Sequence, residues 1–137
     1  MRLRIATPLE IALDVQDVVH LRAEDESGSF GILAGHADFL TSLTLSVATW
    51  RGPDGAEHHI ALRGGMLEVR DGETISIATR EAVADDDLQH LAKGVLAEFR
   101  RRTEDERRAR TDAERLYFAA VREILRFLKS DGEIVAS

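Results

Sequence analysis

The chain reads as a β-sandwich followed by an antiparallel α-helical hairpin, all-β first and then α. Three observations predict this. Apolar residues recur at every second position through the first half. They recur at helical spacing through the second half. Turn-forming glycine and proline punctuate the first half and are missing from residues 95–131. The change of period divides the chain into a sandwich over 1–83 and a helical part over 84–137.

The strands come first. Leu3 and Ile5 alternate with Arg2 and Arg4, and Ile11, Leu13 and Val15 alternate with Ala12, Asp14 and Gln16. Leu43, Leu45 and Val47 alternate with Thr44, Ser46 and Ala48, which sends one set to a buried face. Gly52-Pro53-Asp54-Gly55 is a strong turn between 43–51 and 56–62. Asp71-Gly72 separates Met66-Leu67-Glu68-Val69 from Thr74-Ile75-Ser76-Ile77, as a tight primed hairpin turn requires. Many short strands joined by regular turns predict a sandwich or barrel.

The helical half follows. Leu88, Leu91, Val95 and Phe99 share one helical face, widened by Ala92 and Leu96. Leu116, Ala120, Ile124 and Phe127 run beside Tyr117, Val121, Leu125 and Leu128. Between these stripes, residues 100–115 carry seven Arg and five acids. Thr103-x-x-Glu106 and Thr111-x-x-Glu114 have the form of capping boxes, so a helix start at either predicts the hairpin. A single long helix is the alternative, because nothing in 100–115 forbids helix and a capping Thr contributes only ~1 kcal/mol. Residues 130–137 read as a frayed tail.

Composition narrows the function. A chain of 137 residues can bury roughly two thirds of its unfolded surface without staples. The absence of cysteine excludes disulfides, thiolate metal sites and a cysteine nucleophile, and fits a reducing cytoplasm. The N-terminus has no secretory apolar region, and no apolar run reaches the ~18 residues of a membrane helix. Membrane association is therefore expected only through a partner. Net charge is −7: residues 1–83 carry 7 basic and 13 acidic side chains, and 84–137 carry 11 and 12. That balance argues against nonspecific nucleic-acid binding.

The most informative stretch is Gly28-Ser29-Phe30-Gly31-Ile32-Leu33-Ala34-Gly35-His36-Ala37-Asp38-Phe39-Leu40-Thr41. Its glycines imply sharp turns or close approach, and Phe30, Ile32 and Leu33 are apolar anchors. It closely resembles the signature of the epsilon subunit of F-type ATP synthases. Gly64-Gly65-Met66-Leu67-Glu68-Val69, the strand Thr74-Ile75-Ser76-Ile77-Ala78, and the helix start at Asp85-Asp86-Asp87-Leu88 follow in the family's order. The resemblance covers residues 1 to about 129.

The resemblance implies a non-catalytic rotor subunit with no cofactor and no metal, on the cytoplasmic face of the bacterial plasma membrane. Such a subunit would couple ATP synthesis or hydrolysis to proton or sodium transport. It implies that Phe30, Ile32, Leu33 and His36 meet the central-stalk gamma subunit. Glu24, Asp25, Glu26 and Ser29 would meet the membrane-embedded c-ring. Arg100, Arg101, Arg102, Arg107 and Arg108 would reach the catalytic alpha/beta subunits, with the hairpin impeding ATP hydrolysis. Glu57-His58-His59 and Trp50-Arg51 look most similar to the alternative, often sodium-linked, bacterial branch.

Two departures stand out. Ala34 replaces the family's usual Pro. Asp86-Asp87-Leu88-Gln89-His90-Leu91 keeps only the Asp of the I-D-x-x-R-A motif through which some epsilon subunits bind ATP. The lost Arg removes a fixed cation suited to phosphate, so weak or no ATP binding is expected.

Other features have simpler readings. His36 is expected to hydrogen-bond at a turn rather than act as a base. His58 and His59 point to opposite faces of a strand, as exposed residues that share no metal. Asp85-Asp86-Asp87 is expected to be a charged helix N-terminus. Gly64-Gly65 leads into a strand, which excludes a phosphate loop. A cupin-like metal enzyme is the competing function. It needs His and Glu converging on one metal, and the five histidines at 20, 36, 58, 59 and 90 contain no H-x-H pair.

Overall fold

The computed structural model describes residues 1–130. The expected frayed tail lies almost wholly outside them. Eight strands come first: β1 (Arg2–Ala6), β2 (Ile11–Val15), β3 (His20–Asp25), β4 (Gly28–Leu33), β5 (Phe39–Arg51), β6 (Glu57–Arg70), β7 (Thr74–Ala78) and β8 (Ala82–Ala84). A π-helical turn, His90–Val95, leads into helix α1, Leu96–Ser130. The chain forms two compact units, Met1–Arg100 and the part from Arg101 onward.

The strands hydrogen-bond in the order β2-β1-β7-β6-β5-β3-β4, with β8 on the first part of β6. All pairs are antiparallel except β1 with β7. Leu3 and Ile5 of β1 share one core with Leu21 and Ala23 of β3, although these strands are not neighbours in the sheet. The sheet therefore folds over and encloses its inward faces, as in a sandwich. Each fully buried Leu or Ile contributes roughly 1.5–3 kcal/mol by leaving water.

The segments expected as separate strands at 56–62 and 66–69 are one strand, β6, bent at Gly64-Gly65. Both glycines have positive φ, +69° and +122°. Before the bend, even-numbered Ile60 and Leu62 face the core; after it, odd-numbered Leu67 and Val69 do. The bend thus flips the inward parity, as a bulge does. A Cβ on Gly65 would sit 2.0 Å from the Ala78 carbonyl oxygen, so β7 ends against this backbone.

The partner strand β5 makes the same switch. Leu43 is buried in the sandwich core, but further along Ala48 takes the core side. Leu45 and Val47, expected to continue the inward set, instead join Ala61, Leu91, Leu96 and Phe99 in a second cluster. Leu91 and Leu96 lie five apart, and the wide π turn between them brings both to this face. The Leu96 N–H bonds the Leu91 carbonyl across that turn. The helix start is thus part of the first compact unit.

The expected hairpin is corrected by a single helix through 100–115. Thr111 does not cap a helix start: its hydroxyl donates to the Arg107 carbonyl one turn back, at 3.0 Å, as a mid-helix Thr does. Thr103 likewise lies inside α1. Arg, Glu and Ala are strong helix formers, and pairs such as Arg107–Glu104 at 3.7 Å add support at i, i+3. With no glycine or proline, nothing interrupts the backbone ladder.

Candidate docking surface

The loop 34–38 carries His36 and is tied down by the β6–β7 turn. The Gly35 N–H donates to the Gly72 carbonyl at 2.9 Å. The Asp71 N–H donates to Asp38 Oδ1 at 2.8 Å. Asp71 and Gly72 have φ of 56° and 62°, the primed turn expected from sequence. A Cβ on Gly72 would lie 2.6 Å from the Gly35 Cα, so the first signature motif meets the β6–β7 turn at a contact that requires glycine.

His36 is held within this loop. Its ring Nδ1 lies 2.7 Å from the Ala37 carbonyl, which assigns the proton to Nδ1. The ring rests on Phe39 (centroids 5.7 Å apart), and Phe39 stands edge-on to Phe30 at 5.6 Å. Phe30 is thus a support packed on the core. Ile32 is 0% exposed, so it offers no surface to a partner and anchors the motif from inside. Leu33 is exposed and leaves a surface for contact.

A larger apolar surface lies on the outward face of β5, β6 and β7 and the start of β2. Leu40 is 62% exposed, Ile11 49% and Met66 43%. With Arg4, Ile77 and Ala78 they line a shallow cavity of about 390 Å³. The residue-by-residue reading missed Ile11, Leu40 and Met66 as surface residues. A signal existed: Leu67 points inward, so Met66 beside it on a strand must point outward.

The acidic turn joins β3 to β4. Glu24, Glu26 and Ser29 are exposed. Asp25 is committed to the fold. Its Oδ1 accepts the Ser27 hydroxyl and N–H, and its Oδ2 accepts the Thr41 hydroxyl at 2.8 Å. The Ser27 hydroxyl first, then Thr41, hold its carboxyl below the usual carboxylate range.

At the helix start, Asp87 Oδ1 accepts the N–H groups of Gln89 and His90 at 3.0 and 3.2 Å, an N-cap. The carboxylate matching the nucleotide motif is therefore engaged with backbone. His58 and His59, expected as exposed strand residues, are only partly exposed, and His59 Nδ1 lies 2.8 Å from the Thr49 hydroxyl. Arg100, Arg101, Arg102, Arg107 and Arg108 are exposed along α1. Among the described residues, no three His, Asp or Glu side chains are grouped to hold a metal, and no helix is long and apolar enough to cross a membrane.

Comparison with known proteins identifies the fold. Residues 1–85 match the family model for the "ATP synthase, Delta/Epsilon chain, beta-sandwich domain". The chain is 43% identical over 129 residues to ATP synthase epsilon chain 2 of Paraburkholderia xenovorans, covering 94% of this chain and 93% of that one. It is 39% identical over 128 residues to ATP synthase epsilon chain 2 of Cereibacter sphaeroides, covering 93% and 88%. A chain of the Euglena gracilis mitochondrial ATP synthase, solved with OSCP, F1 and c-ring, superposes with a TM-score of 0.59 at 27% identity. That match covers 66% of this chain and 58% of the other. A chain of the Tetrahymena thermophila central stalk and c-ring shares the fold, with a TM-score of 0.54 at 18% identity over 75% and 90% of the two chains. These relatives are ATP synthase chains and lend nothing to the cupin-like alternative. The chain belongs to the delta/epsilon chain family of ATP synthases.

Proposed function

We propose that the chain is a non-catalytic epsilon-type rotor subunit, which couples ATP synthesis or hydrolysis to ion transport through contacts rather than chemistry. The observation that carries this reading, beside the family membership, is the exposed apolar face of Ile11, Leu40 and Met66 next to the tied-down His36 loop. A contact on the order of 800 Å² per partner needs such a dry centre with a polar rim. The central-stalk gamma subunit is the partner proposed for it, with Leu33 and His36 at the rim. Peripheral attachment at the cytoplasmic face of the bacterial plasma membrane follows from that assembly.

Co-purification with gamma is the test. Leu40→Glu with Met66→Glu should abolish co-purification while the isolated chain still folds with only a small loss of melting temperature, since both side chains are partly exposed. Full retention of gamma by that variant would overturn the assignment of this face.

The acidic turn suits polar or basic loops of the c-ring. Reversing Glu24 and Glu26 to Lys should lower coupling efficiency without unfolding, whereas Asp25→Lys should also disturb the turn. The exposed arginines of α1 are proposed to slow ATP hydrolysis by meeting the catalytic subunits. A deletion that tests this must begin at residue 101, because Leu91, Leu96 and Phe99 belong to the first unit's core. The expected result is a higher ATPase rate in the assembled enzyme.

A further inference from the structure

The connector between β8 and the helix start carries two adjacent histidine–carboxylate contacts, on Asp85 and Asp86. His90 Nδ1 lies 2.7 Å from Asp85 Oδ2. His58 Nδ1, on β6, lies 3.5 Å from Asp86 Oδ1. The His58 ring is stacked on Trp50 of β5, centroids 4.2 Å apart and 24° from parallel. The Asp85 N–H donates to the His59 carbonyl at 3.2 Å, which continues the β6–β8 pairing into the connector. Asp85 Oδ1 accepts the Asp87 N–H at 2.9 Å. One three-residue segment is thus gripped from the sheet by His58 and from the helix by His90.

We infer that this pair of histidines forms a pH-sensitive clasp that fixes the helix start on the sandwich. Each contact is an ion pair only while the imidazole is protonated and its carboxylate is not. Once the ring is neutral, each becomes a neutral hydrogen bond or a weak polar contact. The Asp87 N–H first, then the His90 ring, hold the Asp85 carboxyl below its usual range. That contribution is therefore present above the ordinary carboxylate value and lost as pH falls through the lowered one.

The charges around the clasp are mixed. Asp85, Asp86 and Asp87 lie on the connector and Glu57 on β6. Arg51, opposite Glu57 on β5, and Lys93, one turn beyond His90, are of opposite sign. His59 is engaged with Thr49 and β8 carries no titratable group. The inference does not depend on the rotor reading, because every contact lies within the unit Met1–Arg100.

Hydrogen exchange of the intact chain at pH 5.5 and 8.0, corrected for intrinsic amide rates, tests the clasp. The segment 85–96 should be about two- to five-fold better protected at pH 5.5, the range that exposed ion pairs deliver. His58→Gln with His90→Gln should remove that difference while the β6–β7 segment keeps its protection. Trp50, the only tryptophan, supplies a second readout: its fluorescence should titrate in the wild type and lose the transition in His58→Gln alone. Protection of 85–96 that is equal at both pH values, or a pH difference that survives in the double variant, would overturn the clasp.

Discussion

The sandwich and the helix beyond Arg100 use apolar residues in opposite ways. Leu3, Ile5, Leu67 and Ile77 of the strands are at most 2% exposed. Leu116, Phe118 and Phe127 of α1 are 73%, 59% and 67% exposed. Both regions read as strongly patterned, yet only the first turns its pattern into its own core. The strands are stabilised by burial from water, the helix by its backbone ladder and by short-range pairs such as Arg126–Glu123 at 3.0 Å. A wide apolar stripe that contributes nothing to its own segment's core suits a surface kept for contacts made elsewhere.

Substitutions sharpen that contrast. The largest effect is expected in the sandwich core: Leu67→Ala should destabilise the chain by about 2–5 kcal/mol in urea unfolding, from lost transfer energy and the cavity left behind. Phe118→Ala, which removes a larger side chain, should change stability by less than ~0.5 kcal/mol. Equal costs at the two sites would mean that α1 is held by tertiary burial in solution. Next comes Gly65→Ala, expected to cost more than ~1 kcal/mol, because both the positive φ and the Ala78 carbonyl oppose a side chain. Asp87→Ala should cost about 0.5–2 kcal/mol by uncapping the helix start, and circular dichroism should show only a small loss of helix.

The smallest effect concerns pH. The folded carboxyl of Asp25 is held below its ordinary range, so its stabilisation is present above that ordinary value and lost as pH falls through the lowered one. Asp25→Asn should therefore be less stable than the wild type near pH 6, with the gap narrowing below pH 4. Parallel stability curves would show that the Ser27 and Thr41 contacts do not favour the ionised form.

Much of this was legible from periodicity and turn chemistry alone. Asp71-Gly72 adopts positive φ at both residues, and Gly52-Pro53-Asp54-Gly55 closes with the Gly55 N–H on the Gly52 carbonyl at 3.1 Å. Leu3, Ile5, Ile75 and Ile77 are buried as the period of two requires. The candidate surface was less legible. Ile32 sits among the motif's apolar anchors and cannot be told from a contact residue without knowing which way β4 faces. Leu40 and Met66 carry the same hydropathy as core residues, and alternation places them outside only once the inward face of each strand is known.

Local rules act between neighbours in the chain, so the sequence by itself determined where strands and helix form, where tight turns fall, and that a glycine pair precedes Met66. Tertiary structure decided what those elements face. The bend at Gly64-Gly65 switches inward parity, so Leu45 and Val47 leave the sandwich core and seat Leu91, Leu96 and Phe99. It also decided that capping boxes at Thr103 and Thr111 yield to one continuous helix. A cap worth ~1 kcal/mol prevails only where the chain gains burial by turning back, and α1 runs on without it.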